Sequence, residues 1–197
     1  MFDSLIPSAA PLLAAAEAES SAVSDVINLV PLLLALPLAG FVFTALFGRR
    51  IGRFAFLVPL LLIVATWVIA MVVVYEALSG GFGEHGAGIT LWTWIPAGAF
   101  QVEMGLYVDQ LTACLLIVVT TIGMLVHLYS VGYMAHDPGR WRFFAYLNLF
   151  MFSMLLLVLG DSWLTVFAAW ELVGLSSYLL IGFWFKKPSA NAAAKWT

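Results

Sequence analysis

The chain has 197 residues, of which 63% are hydrophobic and 10% are charged, and its formal net charge at pH 7 is −3. Its mean hydropathy is +1.04. This composition excludes an ordinary soluble domain, in which about a quarter of the residues carry charge. The single cysteine, Cys114, lies in an apolar segment and cannot form an internal disulfide, so we interpret it as a small packing residue. The sequence predicts an all-α integral membrane protein with several spans.

Residues 1–26 precede the first long apolar run. They are rich in alanine, contain two prolines and carry no basic residue. Because a secretory signal normally begins with basic residues, we interpret this segment as a leader outside the bilayer. The alanines on either side of Glu17 superficially resemble a cleavage site, which keeps a cleaved signal peptide as the alternative.

Five apolar runs follow, each long enough to cross a hydrocarbon core about 30 Å thick. They cover residues 27–47, 54–78, 110–133, 141–159 and 163–185, and residues 186–197 would begin a cytoplasmic linker. With five spans, all 8 Lys and Arg residues fall on one side of the membrane. The positive-inside rule assigns that side to the cytoplasm and the N-terminus to the outside. The charge pattern thus supports the span count independently of hydropathy.

The segment between the second and third spans has a different pattern. Several glycines between Gly80 and Gly88 break any helix, and residues 89–95 and 100–108 then alternate with a period of two around a turn at 96–99. This predicts a β-hairpin over about 89–108 on the extracytoplasmic surface. A two-stranded hairpin is marginally stable alone in water. We therefore expect it to pack on the membrane domain or on another subunit.

One carboxylic acid, Glu171, lies inside the fifth run. At about 1.5 Å per residue it is roughly 12 Å from the outer end of that run. A charged acid at this depth is costly unless it is neutral, paired or hydrated. A change of partner or of hydration would therefore make it take up or release a proton, and we interpret Glu171 as a proton-transfer group. The alternative is a protonated acid that only hydrogen-bonds a neighbouring helix.

Three other residues are candidates for a supporting proton path. His127 lies in the inner part of the third span, where a neutral imidazole can pass protons. Asp109 marks the outer start of that span, where a carboxylate also suits a helix N-terminus. Tyr178 shares a helix face with Glu171 and can donate to it through water. The structural alternatives are a hydrogen bond from His127 to a neighbouring helix, helix capping by Asp109 and ordinary packing by Tyr178.

The sequence contains no phosphate-binding glycine loop, no Cys/His cluster with metal spacing and no nucleophile elbow. Four stretches instead resemble the antiporter-like subunit L family of bacterial proton-pumping NADH:quinone oxidoreductase, respiratory complex I. They are GLYVDQLT at 105–112, HLYSVGYM at 127–134, RFFAYLNLF at 142–150 and WELVGLSSYLLIGFW at 170–184. The resemblance is close over about 105–195 and concerns only the layout before that. Val173 and Gly174 favour it over the large subunit of multi-subunit sodium/proton antiporters, where Thr-Ser is usual.

The resemblance implies that Glu171 transfers protons near the middle of the membrane, coupled to a lysine on a later broken helix. It implies no cofactor in this chain, since FMN, iron–sulfur clusters and quinone belong to other subunits of the complex. It also implies that the hairpin contacts a neighbouring antiporter-like subunit and that the location is the bacterial plasma membrane.

The family has many more core helices than five. We therefore expect the chain to be the N-terminal five-helix portion of an antiporter-like bundle, with 190–195 resembling the linker to the next span. An antiporter subunit without a redox partner and a structural assembly subunit are the alternatives.

Overall fold

Among the residues that the computed structural model describes, five helices are long and apolar enough to cross a membrane. The structure describes residues 25–83, 85–97 and 100–195. The long helices are α1 (Val30–Ile51), α2 (Leu57–Ser79), α3 (Gln110–Tyr133), α4 (Arg140–Leu159) and α5 (Trp163–Ile181), and a short helix α6 (Pro188–Ala194) follows. For this part of the chain, the prediction of five spans in a multi-pass membrane protein is confirmed. The predicted leader, 1–26, lies outside the described residues except for its last two, which begin the first span.

The fifth span ends four residues earlier than the predicted 163–185, at Ile181. The N–H of Gly182 donates to the carbonyls of Tyr178 and Leu180, which closes the last turn of α5. The helix cannot resume at once, because a residue before proline disfavours the helical conformation and Lys187 is extended before Pro188. Proline suits the first turn of a helix, so α6 begins there. The predicted linker, 186–197, therefore contains a short helix.

The second span also begins later than predicted, at Leu57 rather than residue 54. The difference is a short 3-10 helix, Gly52–Phe54, that joins α1 to α2. Gly52 has φ of +67°, a left-handed conformation that only glycine adopts without strain, and this residue ends α1 at Ile51. The connection between α1 and α2 thus contains a turn of 3-10 helix, which the apolar pattern does not indicate.

Helix α4 lies at the centre of the bundle. It packs against α1, α3 and α5, while α2 packs against α1 and α3. In its most apolar stretch 56% of the residues are buried, against 17% for α5. The outer helices expose many large apolar side chains, as expected for surfaces that face lipid or other subunits.

The predicted hairpin is confirmed. Strands β1 (Ala87–Ala97) and β2 (Phe100–Val108) pair antiparallel, with two register shifts in β1 on either side of Trp92. Leu106 and Val108 of β2 are fully buried in the same apolar core as the helices. Trp92 and Trp94 remain exposed, at 55% and 42%. One side of the hairpin therefore packs on the membrane domain, and the other presents tryptophan to the surroundings.

The hairpin is attached to the connection between α4 and α5. The N–H of Gly105 donates to Asp161 Oδ1 at 3.2 Å, and the N–H of Asp161 donates to the Gly105 carbonyl at 3.4 Å. Leu106 also forms an isolated β-bridge with Gly160. A Cβ on Gly105 would overlap the Asp161 carboxylate. A side chain at this position in β2 would therefore displace the Asp161 carboxylate from its hydrogen bond with the Gly105 N–H.

The two ends of the bundle differ in charge. Basic residues lie where α1 ends, where α4 begins and after α5, at Arg49, Arg50, Arg140, Arg142, Lys186 and Lys187. The hairpin lies at the opposite ends of these helices, beside the α4–α5 connection. We call these the basic end and the hairpin end. Arg142 stacks on Phe183 and Phe185, which ties the start of α4 to the segment after α5.

Candidate proton-transfer site

Glu171 lies near the middle of α5. At about 1.5 Å per residue it is about 12 Å from Trp163 at the hairpin end and about 15 Å from Ile181 at the basic end. The start of α5 is fixed by Ser162, whose hydroxyl accepts a hydrogen bond from the N–H of Thr165 at 3.2 Å. Glu171 thus lies near the middle of a helix that is long enough to cross a membrane.

The side chain of Glu171 is on the exposed side of α5. The helix buries Thr165, Ala169 and Ser176, whereas Trp170, next to the acid, is 67% exposed. Within residues 25–83, 85–97 and 100–195, Glu171 has no hydrogen-bond or ion-pair partner. The described helices therefore do not enclose the acid.

Tyr178 lies seven residues after Glu171, so two helical turns place it on the same face but about 10 Å nearer the basic end. It is half exposed and lines a cavity of about 210 Å³ with Arg142, Tyr146 and Asn191. That distance is too long for one bridging water. The structure places Tyr178 at the basic end of the face that carries Glu171 rather than beside the carboxylate.

His127 is buried between α3 and α4, with 1% of its surface exposed. Its Nδ1 lies 2.8 Å from the Gly123 carbonyl, and its Nε2 lies 3.2 Å from Nδ2 of Asn148. Its ring centroid is 6.3 Å from that of Phe144. His127 therefore hydrogen-bonds a neighbouring helix, which was the structural alternative for this residue.

Asn148 is the residue that sequence reasoning missed. It is fully buried in α4, and Nδ2 also donates to the Phe144 carbonyl at 3.0 Å. The available signal was an amide side chain in the middle of an apolar span, since polar groups at such depth are costly and pair with one another. Which residue it pairs with depends on how α3 packs on α4, and hydropathy does not contain that information.

Asp109 caps α3 at the hairpin end. Its Oδ1 accepts a hydrogen bond from the N–H of Thr112 at 2.7 Å. That bond stabilises the charged form and holds the pKa of Asp109 below its ordinary value, although partial burial opposes the shift. About 27 Å of helix separates Asp109 from His127 at about 1.5 Å per residue. The two residues therefore do not form a direct relay.

The four candidates thus fall into three places. Glu171 and Tyr178 share the exposed face of α5, His127 forms a buried pair with Asn148, and Asp109 is a cap at the hairpin end. In the described part of the chain, no group of three or more His, Cys, Asp or Glu residues is arranged to hold a metal ion.

Two family models match the chain. One, described as the N-terminus of chain 5 of NADH-ubiquinone oxidoreductase (complex I), matches residues 94–144. The other, described as the transmembrane part of NADH:quinone oxidoreductase and Mrp antiporter proteins, matches residues 160–197. The first covers most of the hairpin and all of α3, and the second covers α5 with Glu171.

Individual relatives match over most of the chain. NADH-quinone oxidoreductase subunit L of Mycobacterium tuberculosis (strain H37Rv) is 47% identical over 164 residues, which are 83% of this chain and 26% of the relative. Subunit L of Neisseria meningitidis serogroup A is 42% identical, with coverages of 82% and 24%. NADH-ubiquinone oxidoreductase chain 5 of Hypocrea jecorina is 39% identical, with coverages of 82% and 23%. The chain spans about a quarter of the length of these relatives.

Among solved structures, the chain is similar to one from the membrane-bound sulfane sulfur reductase, an archaeal respiratory membrane complex. The TM-score is 0.69, and the match covers 84% of this chain and 32% of that chain. At 18% sequence identity this likeness concerns the fold alone. The 47% identity to subunit L and the matches to both family models show that the chain belongs to the family of antiporter-like membrane subunits of NADH-quinone oxidoreductase.

Proposed function

We propose that the chain is part of a proton-translocating membrane subunit of NADH-quinone oxidoreductase. In this role, NADH oxidation and quinone reduction in other subunits would drive proton transfer across the membrane. The observation that carries the proposal is Glu171, an acid at mid-depth of a membrane span. It lies in the segment matched by the family model that covers NADH:quinone oxidoreductase. The similarity to subunit L supports the redox-driven form of the function.

The chemistry of Glu171 follows from its depth. A neutral carboxylic acid is tolerated in a hydrocarbon environment, whereas a carboxylate there needs water or a cation close by. Glu171 would take up a proton when its surroundings are dry, and release it when water or a lysine ammonium reaches its carboxylate. The exposed face of α5 leaves room for such a group, because a Cβ built on Gly174, one turn away, meets no atom within 4 Å.

The basic end of the bundle would face the cytoplasm and the hairpin end the outside. This orientation follows the positive-inside rule, because Arg and Lys residues cluster at one end. The relatives named subunit L are bacterial proteins, which supports a location in the bacterial plasma membrane.

The partners would be other membrane subunits of the complex. Trp92 and Trp94 expose a rigid apolar surface on the hairpin, and tryptophan is enriched where proteins bind each other. We therefore assign this side of the hairpin to the contact with a neighbouring antiporter-like subunit. The chain itself would take no cofactor, and FMN, iron–sulfur clusters and quinone would belong to other subunits.

A second candidate function is that of a cation/proton antiporter subunit without a redox partner. The observation in its favour is that the family model over residues 160–197 covers Mrp antiporter proteins as well. The two functions share the proton-transfer role of Glu171. They differ in the energy source, so proton movement that depends on NADH supports the first and excludes the second.

The decisive experiment is NADH-driven proton pumping in inverted membrane vesicles, with the full-length subunit assembled in its complex. We expect Glu171→Gln to lower pumping by about tenfold or more at equal assembly, since general acid–base groups contribute at least that much. The amide preserves shape and hydrogen bonding but cannot transfer a proton.

The matched control is Glu103→Gln, the same change at an exposed acid on β2 outside the spans. It should leave pumping unchanged. Unchanged pumping in Glu171→Gln would mean that the acid is structural, and the proposed function would lose its main support.

A further inference from the structure

The hydrogen bonds around His127 determine which of its nitrogens carries hydrogen. The Gly123 carbonyl can only accept, so Nδ1, at 2.8 Å, must be the N–H that donates to it. A neutral imidazole has one N–H, and its other nitrogen is then an acceptor. Nε2 therefore holds a free lone pair unless the ring is protonated.

The orientation of the Asn148 amide follows from the same reasoning. The atom 3.0 Å from the Phe144 carbonyl must be a donor, because a carbonyl only accepts, and this makes it Nδ2. The second hydrogen of Nδ2 is directed to His127 Nε2 at 3.2 Å. His127 is thus held as the neutral Nδ1–H tautomer, with its basic nitrogen already occupied by a donor.

The other atom of the same amide is left without a partner. Asn148 Oδ1 is buried and accepts no hydrogen bond from the described residues. It lies against Gly40 of α1, where a Cβ would overlap it. A buried acceptor without a donor carries a desolvation cost, so its presence points to a second arrangement that uses it.

We propose that Asn148 is a positioning residue that decides whether His127 can hold a proton, so that the pair is a two-state proton-holding unit between α3 and α4. The inference deepens the proposed function and rests on it for the role of the proton. As found, Nδ2 donates to Nε2 and excludes a proton from it. If the amide turns by about 180° about its terminal torsion, which is a soft one, Oδ1 faces Nε2 instead.

In the second arrangement a proton from water binds the lone pair of Nε2, and the new N–H donates to Oδ1. The Nδ1–H bond to Gly123 is unchanged, and the ring gains one positive charge. The reverse turn returns the proton to water. Two costs make the neutral arrangement the more stable one. Rotation of the amide breaks the hydrogen bond from Nδ2 to the Phe144 carbonyl. It also places Oδ1 next to that carbonyl, and two acceptor oxygens repel each other.

The surroundings of the pair also favour the neutral ring. His127 lines an apolar crevice of about 300 Å³ between α3 and α4, together with Gly123, Leu147 and Met151. Apolar cavities remain dry, so a proton reaches His127 only when water enters. From α4, Arg140 shares the Phe144 ring with His127, at 5.9 Å from the ring centroid, and its positive charge opposes a second cation. No described carboxylate hydrogen-bonds to His127.

The test is solid-state ¹⁵N NMR of the assembled complex labelled at the histidine nitrogens, with the His127 signal identified by its loss in His127→Gln. At pH 7 we expect a neutral Nδ1–H ring in the native protein. Asn148→Asp has the same shape but replaces the donor by a carboxylate. It should raise the ratio of doubly to singly protonated His127 by about tenfold or more, since a nearby opposite charge favours the charged form by at least that factor.

Ser153→Ala is the matched control. It removes another fully buried polar group from α4, a hydroxyl that donates to the Leu149 carbonyl and has no other partner among the described residues, and it should leave the His127 signal unchanged. If Asn148→Asp does not assemble, Asn148→Ala removes the donor from Nε2 and should also raise the protonated fraction. If the ionisation of His127 changes in neither variant, the amide does not control it, and that result would overturn the proposal.

The role in transport is tested on the same variants by the pH profile of NADH-driven pumping. The proposal is supported if the pH dependence of pumping shifts along the pH axis in Asn148→Asp and stays unchanged in Ser153→Ala. A changed NMR signal with an unchanged profile would overturn it. Failure of the proposed function is distinguishable, because it appears as normal pumping in Glu171→Gln whatever the state of His127.

Discussion

The pair between α3 and α4 and the acid on α5 show two ways of placing polar groups in a membrane span. His127 and Asn148 are buried, and their polar atoms are satisfied by one another and by main-chain carbonyls, except for one oxygen. Glu171 stands on an exposed face beside Trp170 and has no partner among the described residues. The described helices thus supply the partners of His127 and Asn148. For Glu171 they determine only its position along α5 and the face on which it lies.

This difference separates the parts of the chain that hold the bundle together from the face that remains available for other contacts. Packing and interhelical hydrogen bonds stabilise helices in a membrane, because lipid is as apolar as the side chains themselves. Side chains of α4 therefore contribute more to the stability of this bundle than the exposed side chains of α5.

The largest expected effect on stability is that of removing a buried phenylalanine from α4, and an exposed phenylalanine on α5 serves as the comparison. Phe144 of α4 is fully buried and packs against Phe56, His127 and Arg140, whereas Phe167 of α5 is 62% exposed. Phe144→Ala should lower the free energy of unfolding of the chain in detergent by about 3 to 5 kcal/mol, the usual cost of such a cavity. Phe167→Ala should change it by about 0.5 kcal/mol or less. Denaturant unfolding followed by circular dichroism measures both.

Equal losses in the two variants would contradict the contrast between α4 and α5. The same pair of substitutions in the assembled complex makes the comparison sharper. There, a large loss of stability from Phe167→Ala would show that another helix or subunit covers the face of Glu171. If the loss of stability from Phe167→Ala stays small in the complex, that face of α5 is in contact with lipid.

A smaller effect is expected where the hairpin meets the bundle. Gly105→Ala places a methyl group on the Asp161 carboxylate and should break the hydrogen bond between the two residues. Overpacking of this kind costs about 1 to 3 kcal/mol. The released hairpin should be cut faster by protease added to the hairpin side of reconstituted vesicles.

Gly88→Ala is the control for that experiment. It is the same substitution on the other strand, but its new methyl group meets the Tyr107 ring at 3.4 Å, an ordinary contact. Similar protection from protease in both variants and the native chain would mean that the contact between Gly105 and Asp161 does not hold the hairpin in place.

The sequence predicts those features of the fold that depend on local pattern. The apolar runs and the one-sided basic residues indicate the five spans, and the alternation around residues 96–99 indicates the hairpin. The end of α5 was predicted too late, because Phe183, Trp184 and Phe185 continue the apolar run although the chain turns before Pro188. Hydropathy measures how apolar a segment is and does not report where its backbone turns.

The candidate site was predictable in depth but not in its neighbours. Counting residues along one helix is enough to place Glu171 in mid-span. The pairing of His127 with Asn148 joins two helices whose relative rotation and height follow from packing. Gly40 and Gly123 allow close approach at this level, because side chains there would overlap Asn148 and Met151. A single sequence does not show which small residues face each other.

The smallest expected effect is at Asp109, where capping and proton transfer make different predictions. Asp109→Ala removes the acceptor for the Thr112 N–H and should lower the free energy of unfolding at pH 7 by about 1 kcal/mol. Because folding lowers the pKa of Asp109 below its ordinary value of 3.8, the charged cap stabilises the fold above that pH. This contribution is lost as the pH falls through the lowered pKa. The difference between the native chain and Asp109→Ala should therefore shrink below pH 3.8, as unfolding measured at pH 7 and at acidic pH would show.

Asp109→Asn separates the two roles. Asparagine is as good an N-cap as aspartate, so this variant should keep most of the stability at pH 7, but it cannot take up or release a proton. If Asp109 only caps α3, NADH-driven pumping in the assembled complex stays normal in Asp109→Asn. Loss of pumping with normal assembly would instead place Asp109 on the proton path, at the hairpin end of the helix that also carries His127, about 27 Å away. A chain of water molecules along α3 would then have to connect them, and the pair of His127 and Asn148 would be its inner end.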